Sequence, residues 1–337
     1  MVSALAFGLL LGIQTKTPEQ KLVDLQNDLR QTMTLAEQFM AKAKNAQETE
    51  KLVRQLWEKL SYIAKTAEDT QKVTKSVDTI AKLGVLKFEA MSSAGISSDN
   101  VVKLATEIGE QYRQSAGICD ALEKLTFFQF LTVDNYDPFR ALIKESKNPE
   151  VLASLELSDL FIDFARDEGD VNKFLTIAQK YPKTKAGQRS LHIHKLRTKV
   201  ALDAAMPEVT FEPIGGPAIK TSSLLGKVVV IDFWGFWNPG SVTQLDVVRK
   251  YISSNPGKLV WIGINTDSCT ESYLVQKLKE QKITWRTVYS GSLTGRHPLD
   301  FGVTTYPAKF IIDSFGIVKF VPSNRDWREV LDKALKG

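Results

Sequence analysis

Near Met206 the hydrophobic period of this chain changes, and that change limits its possible folds more than any single residue does. Between Pro18 and about Ala205, apolar residues recur at three- and four-residue steps. Leu22, Leu25, Leu29, Met33 and Ala36 form one such series, and Leu52, Leu56, Leu60 and Ile63 form another. That spacing belongs to amphipathic helices burying one stripe each. Beyond Met206, short β-branched runs alternate with helical ones. Val228–Phe233 and Leu259–Thr266 read as strands, while Ser241–Ser254 and Thr270–Gln281 read as helices. Strands Ala308–Asp313 and Ile317–Val321 follow, turned by Ser314-Phe315-Gly316, and a last helix runs from Trp327 to Lys336. Strand–helix–strand units closing on an antiparallel pair predict an α/β sandwich with a mixed sheet. The fold class is therefore α + α/β. An all-helical bundle or short solenoid over 17–205 precedes the sandwich over 206–337.

Punctuation within the helical part supports this division. Asn148-Pro149-Glu150 supplies a cap, a first-turn proline and an acid. The segment containing Val77 and Ile80 stalls near Gly84, and the SSDN at 97–100 reads as a cap for the next helix. "IAQKYPKTKAGQRSLHIHKL" is similar to the helix–turn–helix joints of tetratricopeptide-like repeats, but it covers one joint without a repeat period. His192 and His194 stand two apart, which on a helix points them to different faces and argues against a shared metal ion. His297 falls in a loop-like stretch beside Pro298.

Ala4 to Ile13 is an apolar run of signal-peptide length, too short to span a bilayer. Residues 1–16 are expected to direct export to the periplasm or cell envelope; without that role the protein would be cytoplasmic. A formal charge of +5 spread over 337 residues has no basic run of the kind that binds nucleic acid. The cysteines, Cys119 and Cys269, form neither a disulfide framework nor a metal-ligand spacing. They can join only if the fold brings their Cα atoms within about 7 Å, and otherwise serve as small hydrophobes. Nothing in the sequence calls for a metal or cofactor.

Two stretches carry a resemblance. "GKVVVIDFWGFWNPGSV" is similar to the pattern G-K-x-x-x-x-[DN]-F-W-A-x-W-C-x-x-C. "FGVTTYPAKFIIDSFGIVKF" is similar to the later pattern G-V-x-x-x-P-x-x-x-x-I-D-x-x-G-x-I. Together they resemble the thioredoxin-like superfamily, specifically its exported TlpA/ResA-type thiol–disulfide oxidoreductases, over residues 206–337. The resemblance implies a redox turn at Trp237, Asn238, Pro239, Gly240 and Ser241. It also implies a cis-proline at Tyr306-Pro307 facing that turn, and a supporting buried acid at Asp232. It is silent about residues 17–205.

The chemistry of that family needs a thiolate to attack a disulfide and a second thiol to resolve the product. Here Asn238 holds the attacking position and Ser241 the resolving one, and neither an amide nor an alcohol exchanges with disulfides. With no thiol to serve, Asp232 is expected to be structural, bonded through water to Ser241. Trp234 and Trp237 are expected at the rim. Trp237, Tyr306 and Pro307 remain a candidate groove for an extended peptide or protein, and the helical part is a candidate surface for a protein partner. The expected function is thus that of an exported, redox-inactive binding or scaffold protein. The alternative is an unorthodox oxidoreductase using Cys269, at the end of strand Leu259–Thr266 and hence at the same sheet edge as the turn.

Overall fold

The computed structural model describes residues 16–40, 44–95, 97–119, 122, 137–166, 168–293, 295–323 and 325–337. The apolar run expected to direct export lies outside the described residues.

Helices α1 (Pro18–Met40), α2 (Ala46–Val73) and α3 (Val77–Ser93) share a core containing Leu22, Leu29, Leu60, Ile63 and Leu83. Helix α3 gives a second face, with Phe88, to α4 (Ser98–Tyr112) and α5 (Asp137–Lys144). There Ile108, Phe139 and Ile143 meet Val151 and Leu155 of α6 (Pro149–Ala165). Helix α6 in turn packs Leu157, Leu160 and Phe161 against α7 (Asn172–Lys180) and α8 (Lys185–Lys199). Each core is built by helices adjacent in sequence, and α3 and α6 serve two cores each. Of the two arrangements expected, this is the solenoid-like one: among the described residues no single centre is shared.

Short-range chemistry sets the helix ends. The side chain of Asn148 accepts from Glu150 N with Pro149 in the first turn, and that of Thr184 accepts from Gly187 N. Ser97 makes no side-chain cap bond, so the expected cap of α4 is only positional. Gly84 does not interrupt α3. A side chain there would meet Tyr112 at 3.1 Å and Gln71 at 3.2 Å. The glycine lets α3 approach its neighbours closely; it marks a packing contact, not a helix end.

A hairpin of β1 (Thr210–Phe211) and β2 (Ile219–Lys220) precedes a five-stranded sheet. Its strands are β3 (Val228–Trp234), β4 (Leu259–Asn265), β5 (Arg286–Tyr289), β6 (Ala308–Ile312) and β7 (Val318–Phe320), in the order β5-β4-β3-β6-β7. β3 runs parallel to β4 and β4 to β5, whereas β6 is antiparallel to both β3 and β7. The connecting helices are α9 (Pro239–Val242), α10 (Leu245–Ser254), α11 (Glu271–Glu280), α12 (Arg296–Phe301) and α13 (Trp327–Lys336). A central β3 between a parallel and an antiparallel neighbour, with helices on both faces, is the thioredoxin-like arrangement.

Alternation along β3 divides its side chains between two cores. Val229, Ile231 and Phe233 face the hairpin, α12 and Leu196 of α8. Val228 and Val230 face Val248 of α10 and Leu331 of α13. Leu196 thus ties the helical part to the sheet. Arg189 pairs with Asp300 at 3.0 Å, and Thr270 N donates to Thr34 Oγ1 at 3.0 Å.

His297 lies in α12, not in a loop, and stacks on Phe211 with ring centroids 5.6 Å apart. Burial holds its pKa below the ordinary 6.5, outweighing the opposing pull of Asp300. The unfolded chain therefore binds the proton more readily, so stability is complete above about pH 6.5 and falls as pH drops below it. Once pH passes the lower, folded-state pKa, this loss levels off. Urea unfolding at pH 7.5 and pH 5.5 checks this, and His297→Asn should flatten the difference.

Candidate functional site

At the end of β3 the chain turns through Gly235, Phe236 and Trp237 into α9. Two residues following β4 pin this turn. The carboxylate of Asp267 accepts Phe236 N at 3.0 Å and Trp237 N at 3.1 Å, and Trp237 Nε1 donates to Thr266 Oγ1 at 3.1 Å. The sequence reading missed Asp267; its only signal was an acid just past a strand that ends at the turn's edge of the sheet.

Asn238 is the cap of α9. Its Oδ1 accepts Ser241 N at 2.9 Å, while its Nδ2 donates to Tyr306 O at 3.2 Å. One amide therefore closes the turn and fastens it to the neighbouring proline loop. Ser241 is buried, with Oγ 3.5 Å from Asn238 Oδ1. The Tyr306–Pro307 peptide is cis. A Cβ at Gly240 would meet Asn238 Oδ1 at 3.1 Å and Pro307 Cδ at an ordinary contact distance of 3.4 Å, so the proline ring lies against the turn.

The two tryptophans expected at the rim divide between core and surface. Trp234 is 2% exposed and packs with Leu245 and Leu274, whereas Trp237 is 44% exposed. The indole of Trp237 meets the Tyr306 ring edge-on, with centroids 5.4 Å apart. Burial pushes the Tyr306 phenol up to about 12, so it stays protonated. Among the described residues the backbone N–H of Tyr306 has no acceptor. On one side of this loop lies a depression of about 300 Å³ lined by Thr305, Pro307, Lys309 and Arg325. On the other, Tyr306 reaches a cavity of about 970 Å³.

Asp232 has a charged partner that the sequence reading did not name. It faces Lys309 across the β3–β6 pair, with Lys309 Nζ 2.9 Å from its Oδ1 and both side chains buried. Trp261 Nε1 donates to its Oδ2 at 3.2 Å, and Lys309 also donates to Gln244 Oε1 at 2.9 Å. A buried acid needs a buried cation or several donors, and this chain supplies the cation from the next strand.

Cys269 is buried among Trp234, Leu245, Leu274 and Leu278, and its carbonyl accepts Tyr289 Oη. Its side also lines the larger cavity. Cys119 packs in a different core, in the helical part, and no disulfide joins the two. Among the described residues no group of three or more His, Cys, Asp or Glu is placed to hold a metal ion, and no helix is long and apolar enough to cross a membrane.

No protein-family model matches the chain, and no curated protein matches it. Solved structures match part of it. The C-terminal domain of a Bacteroides thetaiotaomicron protein described as a thiol–disulfide oxidoreductase aligns at 19% identity. That match covers 41% of this chain and 98% of the other, with a TM-score of 0.36. An exposed lipoprotein thioredoxin of Streptococcus pneumoniae aligns at 16% identity over 39% of this chain and 98% of its own, with a TM-score of 0.33. A DsbF homologue of Corynebacterium diphtheriae aligns at 19% identity over 39% of this chain and 86% of its own, with a TM-score of 0.32.

Proposed function

We propose that this protein binds an extended peptide or protein segment at the surface of Trp237, Tyr306 and Pro307, and performs no thiol–disulfide exchange at its turn. The observation that carries this reading is the double bond-making of Asn238. The residue in the attacking position commits one amide atom to Ser241 N and the other to Tyr306 O. Such an amide is a staple, and it leaves the exposed Trp237 indole and the open Tyr306 N–H as the parts able to meet a partner. A backbone donor beside an aromatic platform suits an extended chain, whose own carbonyls seek donors. The helical part is a proposed surface for a protein partner, supported by Val53 and Trp57, exposed four residues apart on α2. Residence in the cell envelope belongs to the same reading, supported by the apolar run at residues 4–13.

Reduced, carboxymethylated α-lactalbumin is a suitable probe, because it is extended and has no thiol left to exchange. It is expected to bind the intact chain, and Trp237→Ala is expected to weaken binding about tenfold, as for a central interface aromatic. Equal binding by the variant, or none by the parent, would overturn the groove. Insulin reduction with dithiothreitol tests the other half. The rate is expected to stay at the reagent background. Turnover above it that disappears in Cys269→Ser would move the chemistry to that thiol, the second reading, favoured by its place on the cavity wall.

A further inference from the structure

The cavity of about 970 Å³ lies between the helical part and the sheet, walled by Leu29 and Met33 of α1, Leu86 of α3, Phe161 and Phe164 of α6, and Leu293 beyond β5. Its size is at the upper end of small-molecule sites, and a mostly apolar wall with a few placed polar groups is their usual construction. Three of its lining residues carry ordinary charges: Arg30, Glu89 and Arg197.

Arg197 is the unusual one. It leaves α8 with its guanidinium 4.2 Å from the ring centroid of Phe164 and 4.9 Å from that of Phe174. Its Nη2 donates to Leu299 O, yet its Nε is buried with no hydrogen-bond partner, and among the described residues no carboxylate pairs with it. The nearby acid, Asp300, is already engaged by Arg189 at 3.0 Å and by Arg296 at 3.5 Å. Burial lowers the Arg197 pKa to about 10, which still leaves it charged at neutral pH. A half-buried cation with no paired carboxylate is incompletely compensated, and one held against two mutually stacked rings at a cavity wall is placed to receive an anion from inside. Glu89 on the same wall disfavours a ligand of higher negative charge.

We propose that this cavity binds a long-chain monocarboxylate, its carboxylate at Arg197 and its aliphatic tail between α1, α3 and α6. The inference stands apart from the peptide groove, with which the cavity shares only Tyr306. Dodecanoate, dodecanol and methyl dodecanoate are the probes, titrated calorimetrically below micellar concentrations into the full chain. Dodecanoate is expected to bind with one site per chain, and the two neutral probes at least about tenfold more weakly, because a charge-assisted contact is lost. Arg197→Met should weaken dodecanoate about tenfold or more and leave dodecanol unchanged. Arg197→Lys should retain most of the affinity, and Met33→Trp should weaken all three by taking space from the aliphatic tail. Trp237→Ala should leave dodecanoate binding as it is, which separates this outcome from that of the peptide reading. Equal affinity for acid and alcohol, weak uptake at many sites, no uptake, or an unchanged Arg197→Met would each overturn the proposal. Should Arg197→Met fail to fold, the comparison of acid with alcohol on the unmodified chain decides.

Discussion

Asp232→Ala is expected to lower the unfolding free energy by about 3–5 kcal/mol, the usual cost of removing one partner from a buried ion pair. The pair is enclosed: Lys309 Nζ lies 2.9 Å from Asp232 Oδ1, and the two side chains are 4% and 6% exposed. Without the carboxylate, Lys309 keeps Gln244 Oε1 and the faces of Trp261 and Trp327, but no counter-charge. Trp261 Nε1 loses its acceptor as well. Lys309→Met has the mirror effect and strands the carboxylate. The informative variant is the double one, Asp232→Leu with Lys309→Met, which removes both desolvation costs and substitutes apolar side chains. It is expected to recover most of the stability lost in either single variant, since apolar replacement of a buried pair is often neutral or better. Urea melts of the parent, Asp232→Leu, Lys309→Met and the double variant close the cycle. Additive losses in the double variant would show that the two residues act independently and that the pair is not the unit argued here.

The legibility of these features in the sequence depended on how local their causes are. The strands and helices around the turn could be read because β3 and β4 are short, mostly apolar runs rich in Val and Ile and their helices are amphipathic. The turn itself could be read because its residues are consecutive. Lys309 was legible in principle and overlooked. In Ala308-Lys309-Phe310-Ile311 the period of two puts Lys309 on the face of Ile311, facing helices, where an isolated charge demands an acid. Strand β5 has four residues and α12 has six, too few for a period to declare itself. Gly84 misled because a glycine needed for close helix contact looks, in sequence, like one that ends a helix. Asp267 and Arg197 could not be assigned at all. Their roles come from the ends of β3 and β4 meeting at one edge, and from α8 meeting α12, with Arg197 and Leu299 102 residues apart in the chain.

Reinstating sulfur is the sharpest test of what the turn has lost. In the variant with Asn238→Cys and Ser241→Cys, insulin reduction is expected to rise from the dithiothreitol background to a rate proportional to protein concentration. The turn brings the two positions together: Asn238 Oδ1 lies 3.5 Å from Ser241 Oγ, so the side chains point toward each other. The attacking thiol would sit where the amide now accepts a backbone N–H, an environment that favours the thiolate. If that lowers its pKa from about 8.5 to about 7, the ionised fraction at neutral pH rises roughly fifteenfold. Intrinsic nucleophilicity falls about fivefold over the same interval, so the net gain over an ordinary exposed thiol is only about threefold. The gain over the parent is therefore set by the presence of two thiols, not by their tuning. Losing the Asn238 cap costs about 1 kcal/mol, which a folded domain of this size can absorb. Either single variant should form a mixed disulfide at most and fail to turn over. If the double variant folds and stays inert towards insulin, access to the turn is blocked, and the peptide surface built on Trp237 and Tyr306 fails with it.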